Sequence, residues 1–242
     1  MKSIADNICA VRAQIEQAAH LAQRPPGSIQ LLAVSKTRSA DEVRQAFAAG
    51  QHAFGENYLQ EGLEKIAALQ DLPIEWHFIG PIQSNKTRPI AEHFHWVHSV
   101  DRTRIARRLS EQRTASLAPL NICLQVNISR EPSKAGCLPE EAPALAQEIA
   151  GIPHLCLRGL MAIPAATDDI ARQRQAFAQM RALLQNLQAR HPQMDTLSMG
   201  MSADMEVAIA EGASIVRIGT AIFGPRTGPT QNPSSKIQGA PP

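Results

Sequence analysis

The hydrophobic pattern of the chain changes its period repeatedly, and each change marks a predicted element. At the N-terminus, Ile4, Ile8, Val11 and Ile15 recur at helical spacing and predict an amphipathic helix over about residues 3–23. From about residue 31 onward, short β-prone runs alternate with longer helical stretches. The predicted strands are the run that ends at Lys36, then 52–55, 75–80, 95–100, 120–128, 155–163, 196–199 and 214–219, and the predicted helices between them are 40–49, 59–69, 84–92, 102–114, 139–150, 168–190 and 203–210.

Eight strands with helices between them predict parallel pairing, because a helical crossover starts the next strand in the same direction as the last. Eight such units in 242 residues have the size of a closed (β/α)₈ TIM barrel, here with an extra N-terminal helix. A doubly wound open sheet is the alternative. We predict one domain over residues 1–226, followed by a tail, 227–242, whose Pro, Gly and Ser content favours disorder.

The composition supports a single α/β domain and argues against several classes of protein. The chain is 44% hydrophobic and 19% charged, which is sufficient for a full core. Its net charge is only +2 and its basic residues are mostly scattered, so we expect no nucleic-acid partner. Asp6 and Glu16 interrupt the N-terminal region, and no run approaches the ~20 apolar residues of a membrane span. We therefore predict a cytoplasmic protein without a membrane partner, and its four cysteines lack metal-ligand spacing.

Lys36 is the first residue with candidate chemistry, because it ends an apolar strand that has no structural need for a charge. Lys36 shares one face of the predicted strand with Leu32 and Val34. A buried ammonium must find a partner or lose its proton, since burial lowers the pKa of a lysine, and a neutral lysine is a nucleophile. The alternative is that the side chain extends from the strand end into solvent.

The other strand ends are also polar, and in a (β/α)₈ barrel these ends meet at the face that carries the active site. The loops after strands seven and eight of such barrels frequently bind phosphate. Here those loops offer hydroxyls and backbone N–H groups. The residues concerned are Ser198, Gly200, Ser202, Gly219 and Thr220. The alternative is that they only form turns and the N-cap of the next helix.

Arg217 adds a third group to this face, because a closed barrel brings its strand next to the Lys36 strand. A lysine that can form an imine, a phosphate site and an arginine that donates to a pyridine nitrogen together match the requirements of lysine-linked pyridoxal 5′-phosphate (PLP). A guanidinium keeps its proton, so it would leave that nitrogen unprotonated and weaken the electron sink. A structural ion pair of Arg217 with Asp204 or Glu206 is the competing interpretation.

Six segments of the chain resemble the pyridoxal phosphate homeostasis protein family, which itself resembles the N-terminal barrel of alanine racemase. The segments are 33–37, 54–58, 77–86, 159–164, 197–204 and 216–224. The resemblance implies that PLP is held as a Schiff base on Lys36. It also implies the remaining cofactor contacts, with Ser198, Gly219 and Thr220 at the phosphate, Arg217 at the pyridine nitrogen, and Asn57 and Met199 along the ring.

The same resemblance favours a binding protein over an enzyme. It implies a role in intracellular PLP homeostasis, by storage, delivery and buffering of the reactive aldehyde, in a monomer without robust catalysis. A PLP-dependent amino-acid racemase is the alternative, but it needs a second base, and the chain has one tyrosine, Tyr58. An aldolase that uses Lys36 directly is a third hypothesis, and it leaves Arg217 unexplained. Secondary PLP sites at Lys86 and Lys134, and client enzymes that receive PLP by direct contact, are left open.

Overall fold

Eight parallel strands close into a barrel in the computed structural model, which describes residues 3–225. The strands are β1 (Gln30–Val34), β2 (Ala53–Glu56), β3 (Glu75–Phe78), β4 (Trp96–Val100), β5 (Leu120–Val126), β6 (Leu155–Ala162), β7 (Thr196–Ser198) and β8 (Ile215–Ile218). They follow one another around the barrel in sequence order, and β8 pairs with β1 to close it. The predicted (β/α)₈ barrel is confirmed, and the open sheet is wrong. The predicted tail lies outside the described residues.

Helices alternate with the strands and form the outer layer. They are α1 (Ile4–Leu21), α2 (Ala40–Ala48), α3 (Leu59–Ala68), α4 (Thr87–His93), α5 (Thr103–Gln112), α6 (Ala142–Ile149), α7 (Ile170–Gln188), α8 (Met205–Ala210) and α9 (Thr220–Phe223). The extra helix α1 packs against α2, α8 and α9. It buries Ile8, Val11 and Ile15, and each such side chain contributes about 1.5–3 kcal/mol by leaving water. Within residues 3–225, no helix combines the length and the apolar character needed to cross a membrane.

The segment between β1 and α2 is short because α2 has a well-defined start. Ser39 Oγ accepts a hydrogen bond from Glu42 N at 3.2 Å, and Glu42 Oε2 accepts one from Ser39 N at 2.8 Å. This reciprocal capping box satisfies two backbone donors that the first turn of a helix cannot pair. Only residues 35–39 are therefore left to connect the strand to the helix, and Lys36 is one of them.

Side-chain alternation divides each strand between the barrel interior and the helices. On β1, the odd-numbered residues belong to the large hydrophobic cluster that the strands share with the helices. Leu32 instead belongs to a small cluster with Ala53 and Ile215 from the two neighbouring strands. We place this small cluster inside the barrel. Lys36, two residues beyond Val34, lies in a turn at the barrel mouth, the end where the strands have their carboxyl termini.

The sequence pattern missed one element, the short helix α9. Gly219 and Thr220 are predicted to lie in a loop, but Thr220 begins a four-residue helix directly after β8. A single helical turn is too short to display a 3.6-residue period, so periodicity cannot detect it. In addition, the predicted helix 84–92 begins as a separate 3₁₀ turn, Ser84–Lys86, before α4.

Candidate functional site

Lys36 lies in a tight turn at the barrel mouth, which we call the lysine turn (residues 35–37). Ser35 is buried, Lys36 is partly buried and Thr37 is exposed. The turn closes with a hydrogen bond from Arg38 N to Ser35 O at 3.0 Å. Thr37 has a φ of +63°, a left-handed conformation that is unfavourable for a β-branched residue. Such a conformation persists only where surrounding contacts hold it.

Three charged residues of β2 and α3 supply those contacts, and we call them the clamp (Glu56, Glu61 and Lys65). Lys65 Nζ donates to Glu56 Oε1 at 2.7 Å and to Glu61 Oε1 at 2.6 Å. It also donates to Ser35 O at 2.5 Å. Ser35 Oγ donates to Glu56 Oε1 at 2.6 Å, and Thr37 N donates to Glu61 Oε1 at 2.5 Å. The clamp therefore fixes the backbone on both sides of the lysine.

Burial makes the charges of the clamp interdependent. The side chain of Lys65 is 5% exposed and that of Glu56 is 0% exposed. Burial raises the pKa of Glu56, and the contacts with Lys65 and Ser35 act in the opposite direction. Among the described residues, Glu56 Oε2 has no hydrogen-bond partner, so this carboxylate depends on the donors to Oε1, Ser35 and Lys65, of which Lys65 alone is charged. The i, i+4 spacing of Glu61 and Lys65 on a predicted helix is a signal of the clamp in the sequence, and it went unrecognised among the candidate residues above.

Arg217 is buried inside the barrel on β8, next to the lysine strand. Its Nη1 donates to Ser198 O at 2.6 Å and to Ser198 Oγ at 2.9 Å, and its Nη2 donates to Ala162 O at 2.9 Å. These oxygens belong to neutral groups, so the competing ion pair with Asp204 or Glu206 is not what the described residues form. Burial lowers the pKa of Arg217 to about 10, which leaves the guanidinium charged near neutral pH.

Ser198 and Met199 are both buried at the end of β7. Ser198 is fully buried, and its Oγ contacts Arg217 and His98 Nδ1, at 2.9 Å and 2.8 Å. Met199 is also fully buried and belongs to the hydrophobic cluster between strands and helices. The reason is strand alternation: Ser198 ends β7 facing inward, so the next side chain faces outward. The exposed hydroxyl of this segment is that of Ser202.

Asn57 and Gly219 flank the lysine turn on its two sides. Asn57 directly follows β2, and its Oδ1 is buried without a hydrogen-bond partner among residues 3–225. A Cβ on Gly80 would lie 1.9 Å from Asn57 O, so only glycine permits this close approach of the β3 end. On the other side, a Cβ on Gly219 would lie 3.1 Å from Val34 O. The structure therefore brings Lys36, Asn57 and Gly219 to three adjacent strand ends.

Three other predicted residues also lie at the barrel mouth. Thr220 is exposed at the start of α9. Lys134 lies beside the end of β6, where its Nζ contacts Pro164 O at 3.0 Å and Glu131 Oε2 at 2.5 Å. Lys86 is exposed in the 3₁₀ turn that follows β3. Neither of these two lysines belongs to the lysine turn.

Comparison with known proteins defines first the class of barrel and then the family. Residues 7–227 match the family model described as alanine racemase, N-terminal domain. Proteins named pyridoxal phosphate homeostasis protein match this chain over nearly its whole length and theirs. The one from Pseudomonas aeruginosa is 63% identical over 226 residues, which are 93% of this chain and 97% of that protein. The one from Pasteurella multocida is 54% identical over 228 residues, 93% of this chain and 98% of that protein.

A solved structure agrees with these matches. PipY of Synechococcus elongatus, solved with PLP bound, is 40% identical and superposes with a TM-score of 0.80, over 92% of this chain and 100% of PipY. The chain belongs to the pyridoxal phosphate homeostasis protein family. The family predicted from the sequence motifs is thereby confirmed.

Proposed function

We propose that this protein binds PLP as a Schiff base on Lys36 and takes part in PLP homeostasis. It stores and delivers the cofactor and keeps its aldehyde from reacting with other amines. The observation that carries the proposal is the position of Lys36 at the mouth of the barrel, between the strand of Arg217 and the strand end at Asn57. The name of the relatives and the PLP bound in the PipY structure support it.

The residues around the lysine turn fit the chemistry of PLP. The Oδ1 of Asn57 is buried and has no hydrogen-bond partner within the described part of the chain, and a bound polar ligand satisfies an atom of this kind. Arg217 has five N–H groups, of which three donate to Ser198 and Ala162, so two are left for a pyridine nitrogen. For the phosphate, exposure favours Ser202 and Thr220 with the backbone of Gly219, whereas Ser198 has its hydroxyl inside the barrel.

The character of Arg217 favours holding PLP over catalysis with it. When bound, PLP supplies an aldehyde carbon for the imine and an electron sink for reactions at a substrate carbon. A guanidinium that stays charged donates a hydrogen bond to the pyridine nitrogen and does not protonate it, which weakens that sink. We therefore propose a carrier without robust catalysis, and the relatives are named as homeostasis proteins and not as enzymes.

A PLP-dependent amino-acid racemase is the second candidate. Racemisation needs a proton donor and a base on opposite faces of the substrate carbon. Tyr58, the one tyrosine, is 47% exposed and sits at the start of α3, so slow side activity is the most that this alternative offers.

We further propose that the protein works as a monomer in the cytoplasm and that PLP-dependent enzymes are its clients. We propose no nucleic-acid partner, because the net charge is only +2. Sedimentation of the purified protein tests the monomer. Transfer of PLP to a cofactor-free enzyme, with and without a dialysis membrane between the two, distinguishes direct contact from passage through solution.

The central test is the absorption spectrum of the protein with added PLP, before and after borohydride reduction. We expect a visible imine band in the wild type, a covalent label on the Lys36 peptide after reduction, and the loss of both in Lys36→Ala. Lys86→Ala is the matched control, because this lysine is exposed at the same face, and it should keep the band. A protein that PLP cannot turn yellow would refute the proposal. Racemisation clearly faster than with free PLP would favour the second candidate.

A further inference from the structure

Arg217 is one end of a polar chain that crosses the barrel interior, which we call the interior chain (Arg217, Ser198, His98, His77 and Glu75). Arg217 Nη1 lies 2.9 Å from Ser198 Oγ, which lies 2.8 Å from His98 Nδ1. His98 Nε2 lies 2.9 Å from His77 Nδ1. His77 Nε2 lies 2.7 Å from Glu75 Oε1. These residues come from β8, β7, β4 and β3, so the chain joins opposite walls of the barrel.

The interior chain runs from the barrel mouth to the opposite end of the barrel. Ser198, His98 and His77 are 0% exposed, whereas the side chain of Glu75, at the first residue of β3, is 42% exposed. Every ring nitrogen of the two histidines has a hydrogen-bond partner within the chain. Buried networks of this kind are stable only when all members are satisfied, so the proton positions are constrained.

Arg217 and Glu75, the two ends of the interior chain, determine the direction of every hydrogen bond between them. Arg217 can only donate, so Ser198 Oγ accepts a hydrogen bond from it, and the Ser198 hydroxyl donates one to His98 Nδ1. His98 then carries its proton on Nε2 and donates to His77 Nδ1. His77 likewise carries its proton on Nε2 and donates to the Glu75 carboxylate, which can only accept. The reverse direction would set two acceptors, His77 Nε2 and the carboxylate, against each other.

The protonation states agree with this assignment. Burial lowers the pKa of His98 and of His77, so both rings are neutral near neutral pH. The hydrogen bond from His77 lowers the pKa of Glu75 to about 2, so the carboxylate remains an acceptor. Each neutral ring then offers one donor and one acceptor, which is what the chain requires of it.

We infer that His98 is a positioning residue for the PLP site: in its Nε2–H tautomer it holds the Ser198 hydroxyl, and through it the guanidinium of Arg217. His77 and Glu75 set that tautomer from the far end of the barrel. The inference rests on the proposed function, because it takes the pyridine nitrogen as the ligand of Arg217. In the other tautomer, His98 would leave the proton of Ser198 without its acceptor, and the hydroxyl would lose its fixed orientation.

The first test uses the cofactor-free wild type and needs no variant. Long-range ¹H–¹⁵N spectra of protein labelled with ¹⁵N-histidine report which ring nitrogen carries the proton. We expect His98 and His77 to be neutral and protonated on Nε2 near neutral pH. A proton on His98 Nδ1, or a charged His98, would overturn the inference whatever PLP does.

The second test measures PLP binding by His98→Leu and His98→Gln. We expect His98→Leu to bind PLP about tenfold more weakly and with a shifted imine band, which is the effect of about one misplaced hydrogen bond to a charged group. Borohydride should still attach PLP to Lys36. His98→Gln should restore most of the affinity, because its amide offers an oxygen that accepts from Ser198 and an NH₂ group that donates to His77.

Cys123→Ala is the matched control for the second test, since Cys123 is an equally buried residue of β5 outside the interior chain. It should bind PLP like the wild type, and thermal unfolding checks that each variant is folded. Wild-type affinity and spectrum in His98→Leu would overturn the inference and leave the proposed function standing. A wild type that forms no imine would overturn both together.

Discussion

Lys65→Met should lower the free energy of unfolding by about 3–5 kcal/mol, the usual cost of removing one partner from a buried ion pair. Methionine resembles the aliphatic part of lysine but has no ammonium group. The substitution leaves Glu56, which is 0% exposed, beside Glu61 with no cation between them. It also removes the donor to Ser35 O and thereby frees the lysine turn.

The expected magnitude follows from the contacts of Lys65 Nζ. It makes three hydrogen bonds, two of them to carboxylates, and a hydrogen bond to a charged group contributes about 1.5–3 kcal/mol. Protonation of Glu56 limits the loss, because burial already raises the pKa of this carboxyl and each pKa unit corresponds to about 1.4 kcal/mol. The expected loss in the free energy of unfolding therefore stays at about 3–5 kcal/mol, well above the effect of a surface substitution.

Urea unfolding followed by circular dichroism, with linear extrapolation to water, measures this loss. Arg44→Met is the matched control, because Arg44 lies 2.6 Å from Asp71 in a pair whose side chains are 45% and 56% exposed. Exposed pairs contribute about 0–1 kcal/mol. A loss in Lys65→Met no larger than that in Arg44→Met would refute the reasoning. If Lys65→Met does not fold, Glu61→Gln, at the more exposed carboxylate, tests the same network with a smaller loss.

Three further predictions concern other parts of the structure. Gly80→Ala should lose about 2 kcal/mol or more of the free energy of unfolding in the same urea experiment, because its Cβ would lie 1.9 Å from a backbone oxygen. Gly151→Ala should be nearly neutral, because, apart from its neighbours in the chain, no atom of residues 3–225 lies within 4 Å of the position of its Cβ. Equal losses in the two variants would contradict the close approach at Gly80. Burial lowers the pKa of His98 from 6.5, so its contribution to stability is present above pH 6.5 and is lost below it, by up to about 1.4 kcal/mol per pH unit. Unfolding curves of His98→Gln should therefore show a shallower acid dependence than the wild type, and an unchanged slope would exclude a neutral buried ring. Cys123 should resist alkylation while the exposed Cys9 reacts, because burial raises the pKa of Cys123 to about 12, and equal labelling rates would contradict this burial.

The barrel could be predicted because its signals are local. Each strand is a short apolar run and each helix has its own period, so eight alternations suffice to limit the topology to a few choices. The position of Lys36 follows from the same information, since it lies two residues past an inward-facing residue of β1. Helix α9 was not predicted, because a helix of four residues is too short to show a hydrophobic period.

The interior of the site could not be predicted, because it depends on closure of the barrel. His77 and His98 are 21 residues apart, and His98 and Ser198 are 100 residues apart, so no local pattern connects them. Ser198 and Met199 show a related limit. The resemblance names both residues as cofactor contacts, but the direction of each side chain depends on where β7 ends, which the resemblance does not show.

β1 and β8 meet at the seam where the barrel closes. The two strands lie far apart in sequence, and the pairing of Leu32 with Arg217 encloses residues 33–216 of the 242 residues. Contacts of such long sequence separation form late, because the entropy of closing the chain must be overcome first. A nascent chain that lacks β8 contains Lys36 without its arginine. A ligand bound by residues of both strands would stabilise this last pairing, so its retention would report that β8 has joined β1.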